Sequence, residues 1–83
     1  MNYIFSKHAI EQAKIRNIPE KFIKEVVENP DKIINYDECI KIYQSIIKLE
    51  KPYLLRVFIN TCKEPQVIIT AYKTSKIEKY YES

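Results

Sequence analysis

The residues between positions 53 and 72 constrain the fold more than any other stretch of the chain, because they are typical of a β-hairpin. We predict strands over residues 53–61 and 66–72, joined by a turn over residues 62–65. Both predicted strands are rich in β-branched and aromatic side chains. Apolar residues occur on both faces of the first strand, which is typical of a central strand that is covered on both sides. Arg56 interrupts this apolar pattern.

The strand register decides which residues share a face with Arg56. A turn centred on Lys63 predicts three opposed pairs: Arg56 with Thr70, Leu54 with Tyr72, and Phe58 with Ile68. Opposed residues share a face. The other face is then apolar except for one phenol, and carries Tyr53, Leu55, Val57, Ile59, Val67, Ile69 and Ala71. We expect helices to cover that apolar face, so that Arg56, Thr70 and Tyr72 lie on an uncovered working surface.

Two helices are predicted before the hairpin. Ser6 is a good N-cap for a first helix that runs to about residue 17. Pro19 opens a second helix, because its missing N–H does no harm in the first turn. This helix ends at residues 29–31, where Asn-Pro-Asp stops the helical pattern. Both helices are short, so we expect them to form a hairpin that needs a sheet to bury its apolar side.

Two further strands are predicted over residues 32–36 and 40–49. With the hairpin, they make a four-stranded antiparallel meander. Residues 2–5 are a short apolar lead that fits either an edge strand or a contact with the first helix. Ser75 can cap one final helical turn. The predicted class is α+β, with an N-terminal helical hairpin packed on the four-stranded sheet.

The composition sets the size and the class of the protein. The chain has 83 residues, enough for one domain over residues 1–83 with a modest core and no enclosed cofactor cavity. No stretch approaches the roughly 20 apolar residues of a membrane span, and the N-terminus lacks the apolar core of a signal peptide. We therefore expect a cytoplasmic protein with no membrane partner. The net charge of +3 is compatible with a nucleic-acid partner without requiring one.

Cys39 and Cys62 are the two cysteines of the chain. They are too few for a disulfide framework, and their spacing is not that of zinc ligands. We expect both thiols to be reduced, and we expect no metal and no cofactor.

Several segments of the chain resemble a known family: SKHAIEQAKIRNI, VVENPDKI, YLLRV and VIITAYKTSKIEKY. The chain is similar to small bacterial and archaeal proteins of unknown function that are commonly grouped with RelE-like toxins, within the barnase–EndoU–colicin–RelE class of nuclease folds. The resemblance covers nearly the whole chain. It implies a compact α+β domain that cleaves RNA without a metal, often mRNA on the ribosome. It also implies a small antitoxin protein as a partner.

The positions that match the family pattern are His8, Arg56, Thr70 and Tyr72. Cleavage of RNA requires a base for the 2′-hydroxyl, groups that stabilise the phosphorane, and an acid for the leaving 5′-oxygen. His8 can transfer protons near neutral pH, and Arg56 can contact two phosphate oxygens at once. Thr70 and Tyr72 can donate hydrogen bonds. We predict these four residues to be catalytic, provided that they converge.

Basic residues are predicted to contact RNA phosphates at Arg16, Lys73 and Lys76. Arg16 and Lys73 match the family pattern more loosely. Structural roles also explain the candidates, since His8 fits an ordinary surface position and Arg56 can pair with an acidic residue such as Glu11. Two other functions therefore stay open: a non-catalytic interaction or regulatory module, and an RNA-binding protein without cleavage.

Overall fold

The computed structural model describes residues 2–81, which form one mixed β-sheet and three short helices. The helices are α1 (Lys7–Ile15), α2 (Glu20–Glu28) and α3 (Ile77–Tyr81). The strands are β1 (Tyr3–Phe5), β2 (Lys32–Asn35), β3 (Ile40–Lys48), β4 (Pro52–Asn60) and β5 (Gln66–Thr74). In this part of the chain no helix is long and apolar enough to cross a membrane.

The α+β class is confirmed, and β2 to β5 form the predicted antiparallel meander. The four-stranded sheet is wrong, because β1 adds a fifth strand in the order β1-β5-β4-β3-β2. This strand lies parallel to β5, with Tyr3 opposite Gln66 and Phe5 opposite Ile68. A three-residue strand whose partner is more than 60 residues away carries almost no local signal. The prediction for residues 2–5 is thereby resolved in favour of an edge strand.

Helices α1 and α2 pack on one face of the sheet and close a single core there. Ala9 and Ala13 are the buried residues of α1, and these small side chains allow the helix backbone to approach β5 closely. Helix α2 contributes larger side chains to the same core: Ile23, Val26 and Val27. The sheet contributes Tyr43, Ile47, Leu55, Val57, Ile59, Ile68 and Ala71. The core therefore lies on the face that sequence alternation predicted for β4.

The register between β4 and β5 differs from the prediction. Arg56 lies opposite Tyr72, Leu54 opposite Thr74 and Phe58 opposite Thr70. The shift is two residues, so the side chains keep their faces, because the strand repeat is also two residues. A bulge between Phe58 and Ile59 then changes the alternation towards the turn, and Ile59 pairs with Ile68. Ile68 is therefore buried in the core, where Val67 and Ile69 were expected.

The prediction of reduced cysteines is wrong, because Cys39 and Cys62 form a disulfide. Cys39 precedes β3 and Cys62 follows β4, and the end pair Ile40–Asn60 of these strands brings the two cysteines together. Their Cα atoms are 5.1 Å apart, which is within the usual range for a disulfide. Strand pairing creates this proximity, and a separation of 23 residues in sequence gives no sign of it.

Ser6 joins the start of α1 to the edge of the sheet. Its Oγ accepts a hydrogen bond from the Ala9 N–H at 3.0 Å and donates one to the Ile69 carbonyl at 3.2 Å. We expect Ser6→Ala to lower the free energy of unfolding by about 1 kcal/mol, the usual effect of losing an N-cap. Urea denaturation followed by circular dichroism measures this change. Glu11→Ala, at an exposed residue in the middle of α1, is the control, and equal stabilities of the two variants would contradict the role of Ser6.

Candidate functional site

Arg56 lies at the centre of β4, on the face of the sheet opposite α1 and α2. Its neighbours Leu55 and Val57 belong to the core under the helices. Because successive side chains in a strand point to opposite faces, Arg56 is directed to the other side. We call the surface formed by Gln44, Arg56, Phe58, Thr70 and Tyr72 the Arg56 face; all five are cross-strand neighbours in the register of β3, β4 and β5.

The Arg56 guanidinium is held by neutral partners from both neighbouring strands. Its Nε donates to Gln44 Oε1 at 3.0 Å, and its Nη1 donates to Tyr72 Oη at 2.7 Å. Nη2 forms no hydrogen bond with another described residue, and none of the described carboxylates pairs with the group. Arg56 is 9% exposed. A cation in such a position gains from any anion that approaches it, because its charge is only weakly compensated.

Aromatic rings supply part of the missing compensation. The guanidinium carbon lies 4.7 Å from the ring centroid of Tyr80, 5.8 Å from that of Tyr72 and 6.0 Å from that of Phe58. These distances are within the range of cation–π interactions. Tyr80 belongs to α3, and its carbonyl accepts a hydrogen bond from Gln44 Nε2 at 3.4 Å. Helix α3 thus partly covers Arg56 from the side that α1 and α2 leave free, and the expectation of an uncovered surface is wrong at this residue.

The strands contribute basic side chains and no acidic ones to this face of the sheet. Strands β2 to β5 contain neither Asp nor Glu. Lys32 lies opposite Gln44, and Lys48 follows Gln44 by four residues in β3, so both lysines share its face. Arg56 and Lys48 therefore place positive charge on this side of the sheet, and the strands supply no carboxylate there. Such an arrangement favours binding of a polyanion.

The structure brings three of the four predicted catalytic residues together. Arg56 and Tyr72 are in direct contact, and Thr70 lies on the same face two residues before Tyr72. His8 is exposed on α1, which packs against β5 from the opposite face. The helix that carries His8 therefore lies on the face opposite Arg56, and no contact joins the imidazole to the guanidinium among the described residues. The catalytic roles themselves stay predictions.

Arg16 and Lys73 hold α1 to the sheet. Strand β1 covers β5 only from Gln66 to Ile68, and the Arg16 guanidinium donates to the Ala71 carbonyl beyond that point at 2.7 Å. Lys73 Nζ donates to the carbonyls of Arg16 and Asn17, which directly follow α1, at 2.7 and 3.2 Å. Both cations thus have structural partners away from the Arg56 face. Lys76 is exposed immediately before α3.

Sequence reasoning missed Gln44 and Tyr80 as members of the site. Gln44 is fully buried, and an amide inside a strand of isoleucines signals a buried polar partner. Tyr80 carried no comparable signal, because its contact with Arg56 depends on where α3 folds back.

Two tyrosines away from the Arg56 face have raised pKa values. Burial raises the pKa of Tyr3, and the hydrogen bond to Glu28 adds to this effect. The hydrogen bond to Glu50 is the main cause of the raised pKa of Tyr53. Both phenols therefore stay protonated as donors to carboxylates, which is a structural role on β1 and on the core face of β4.

No group of three or more His, Cys, Asp and Glu side chains within the described residues is arranged to hold a metal ion. No curated protein matches the chain. No solved structure matches it either. A family model described as a domain of unknown function (DUF4258) matches residues 5–73, most of the chain, and the protein belongs to this family.

Proposed function

We propose that this protein binds cytoplasmic RNA on the Arg56 face and cleaves it without a metal, as a RelE-like toxin held in check by a small antitoxin protein. The observation that carries the proposal is the contact between Arg56 and Tyr72, 2.7 Å long, on a sheet face without strand carboxylates. The resemblance of the sequence to RelE-like toxins supports RNA as the polyanion and the antitoxin as the partner.

Arg56 is suited to bind the phosphate at which cleavage occurs. Gln44 and Tyr72 orient the guanidinium through Nε and Nη1, so that Nη2 is left for an anion. A preorganised cation stabilises the phosphorane because no further reorganisation is needed as charge develops. Thr70, on the same face, can donate a hydrogen bond to a phosphate oxygen.

Tyr72 takes the proton-transfer role in this proposal, in place of His8. Its hydroxyl lies beside the guanidinium, and tyrosine is among the side chains that transfer protons in enzymes. In the reaction, a water molecule removes the proton of the 2′-hydroxyl, and the 2′-oxygen attacks phosphorus. The bond from phosphorus to the 5′-oxygen then breaks, this oxygen receives the proton of the Tyr72 hydroxyl, and the phenolate is reprotonated from solvent. The product carries a 2′,3′-cyclic phosphate.

One observation favours a second candidate, a non-catalytic module that keeps the fold. Arg56 is only 9% exposed and Tyr80 stacks against it, which also suits a purely structural cation. In this reading Gln44, Arg56 and Tyr72 tie three strands together and specify their register. The two candidates differ in what the protein does to RNA.

The test is incubation of the purified full chain with end-labelled single-stranded RNA and with ribosome-bound mRNA, in the presence of EDTA. We expect binding that weakens with salt, with a logarithmic slope of about −0.7 per phosphate contact. We also expect fragments ending in a 2′,3′-cyclic phosphate and slower growth of cells that express the protein. Tyr72→Phe should bind RNA as the wild type does but lose cleavage.

Other outcomes identify the alternatives. Salt-dependent binding with intact RNA would overturn the nuclease and leave an RNA-binding protein. If the wild type neither binds RNA nor slows growth, the RNA proposal is wrong, and the non-catalytic module is favoured.

A further inference from the structure

Tyr36 is an exposed aromatic residue that continues the Arg56 face towards the β2 edge of the sheet. It directly follows β2, and it is 66% exposed. Its ring centroid is 6.1 Å from that of Phe58, and the two rings meet edge to face at 70°. Phe58 in turn lies 6.1 Å from Tyr72 and 6.0 Å from the Arg56 guanidinium.

The turn after Tyr36 is firmly held, although the side chain is exposed. The Tyr36 N–H donates to the Ile40 carbonyl at 3.0 Å. Asp37 Oδ1 accepts hydrogen bonds from the N–H groups of Cys39 and Ile40 at 2.9 and 2.7 Å. A ligand that stacks on Tyr36 would therefore find the backbone already ordered, which reduces the entropy lost on binding.

Core packing does not explain an aromatic ring at this position. Single exposed apolar residues are ordinary on protein surfaces, and Ile4, Ile15, Ile33 and Ile46 are examples here. Tyr36 differs from them because its ring adjoins other aromatic rings that lead to a cation. Aromatic side chains next to basic groups are the combination that binds single-stranded nucleic acids, with stacking for the bases and charge for the phosphates.

We propose that Tyr36 is a base-stacking residue that makes this site select unpaired RNA. The inference rests on the proposed function, because it names the residue that contacts the nucleotide next to the phosphate bound by Arg56. A base stacks on an aromatic ring only when it leaves its own helix. Tyr36 thus contacts a base of single-stranded RNA, whereas duplex RNA is bound only through its phosphates. Stacking tolerates every base, so Tyr36 selects single strands without selecting a base sequence.

The experiment compares the full-length wild type with Tyr36→Ala, Tyr36→Phe and Ile33→Ala. Fluorescence anisotropy measures binding to a single-stranded oligoribonucleotide whose 2′-hydroxyls are methylated to prevent cleavage, to its duplex, and to a strand of the same length that lacks its bases. We expect Tyr36→Ala to weaken binding to the intact single strand about 10-fold, and Tyr36→Phe to retain it. Binding to the duplex and to the abasic strand should not change. Ile33 is 47% exposed in β2 and pairs with Tyr43 of the core face, so its replacement controls for loss of exposed apolar surface.

The salt dependence provides a second measurement. We expect the same salt slope for Tyr36→Ala and for the wild type, because no phosphate contact is removed. Equal affinity of wild type and Tyr36→Ala for the intact single strand would overturn the stacking role while leaving RNA binding in place. An equal loss on the abasic strand would also overturn it. Failure of the wild type to bind any of the three RNAs would instead overturn the proposed function itself, and thermal unfolding shows whether each variant is folded.

Discussion

Arg56→Met is expected to reduce RNA cleavage by about 10²–10³-fold, the usual effect of removing one group that stabilises a developing anion. Methionine resembles the aliphatic part of the arginine side chain, and it removes the charged guanidinium. Arg56→Lys should also lose activity, because an ammonium group cannot donate to Gln44 and Tyr72 with the geometry of the planar guanidinium. Cleavage of end-labelled RNA in EDTA, together with binding of the uncleaved RNA, measures both variants.

His8→Ala is the matched control for Arg56. The imidazole is exposed on α1, and the sheet lies between it and the Arg56 face. We therefore expect His8→Ala to cleave RNA at the wild-type rate. Loss of cleavage in His8→Ala with retention in Arg56→Met would contradict the assignment of the site. Circular dichroism and thermal unfolding separate a loss of activity from a loss of fold.

The second large effect is expected at Leu55, which is fully buried where the helices meet the sheet. Leu55→Ala should lower the free energy of unfolding by about 2–5 kcal/mol, because the change removes apolar contacts and leaves a cavity. A whole domain is typically stable by only about 5–15 kcal/mol, so the variant should lose much of its stability. In a domain of this size each kcal/mol corresponds to about 4–8 °C in Tm.

Ile15→Ala is the control for this core substitution. Ile15 lies at the end of α1 and is 71% exposed, so we expect a change within about 0.5 kcal/mol. Urea denaturation followed by circular dichroism measures both variants under the same conditions. A larger destabilisation at Ile15 than at Leu55 would show that the core does not lie between α1, α2 and the sheet.

Part of the candidate site follows from the pattern of the sequence. Side chains in a strand alternate with a period of two, so apolar Leu55 and Val57 on the core side require Arg56 on the other. The same period explains why the error in register was harmless: a shift by two residues still leaves Thr70 and Tyr72 on the face of Arg56. Gln44 could have been predicted from its polarity in an apolar strand, whereas Tyr80 depends on how α3 returns to the sheet.

The sequence by itself determined the α+β class, the two N-terminal helices and the face on which Arg56 lies, because these depend on local periodicity and on capping residues. Only the tertiary structure decided that β1 joins β5, that Cys39 bonds to Cys62, and that His8 lies across the sheet from Arg56. Each of these relations joins residues far apart in the chain. Strand pairing and helix packing establish them, and no repeat within a single segment records which distant segment will become its neighbour.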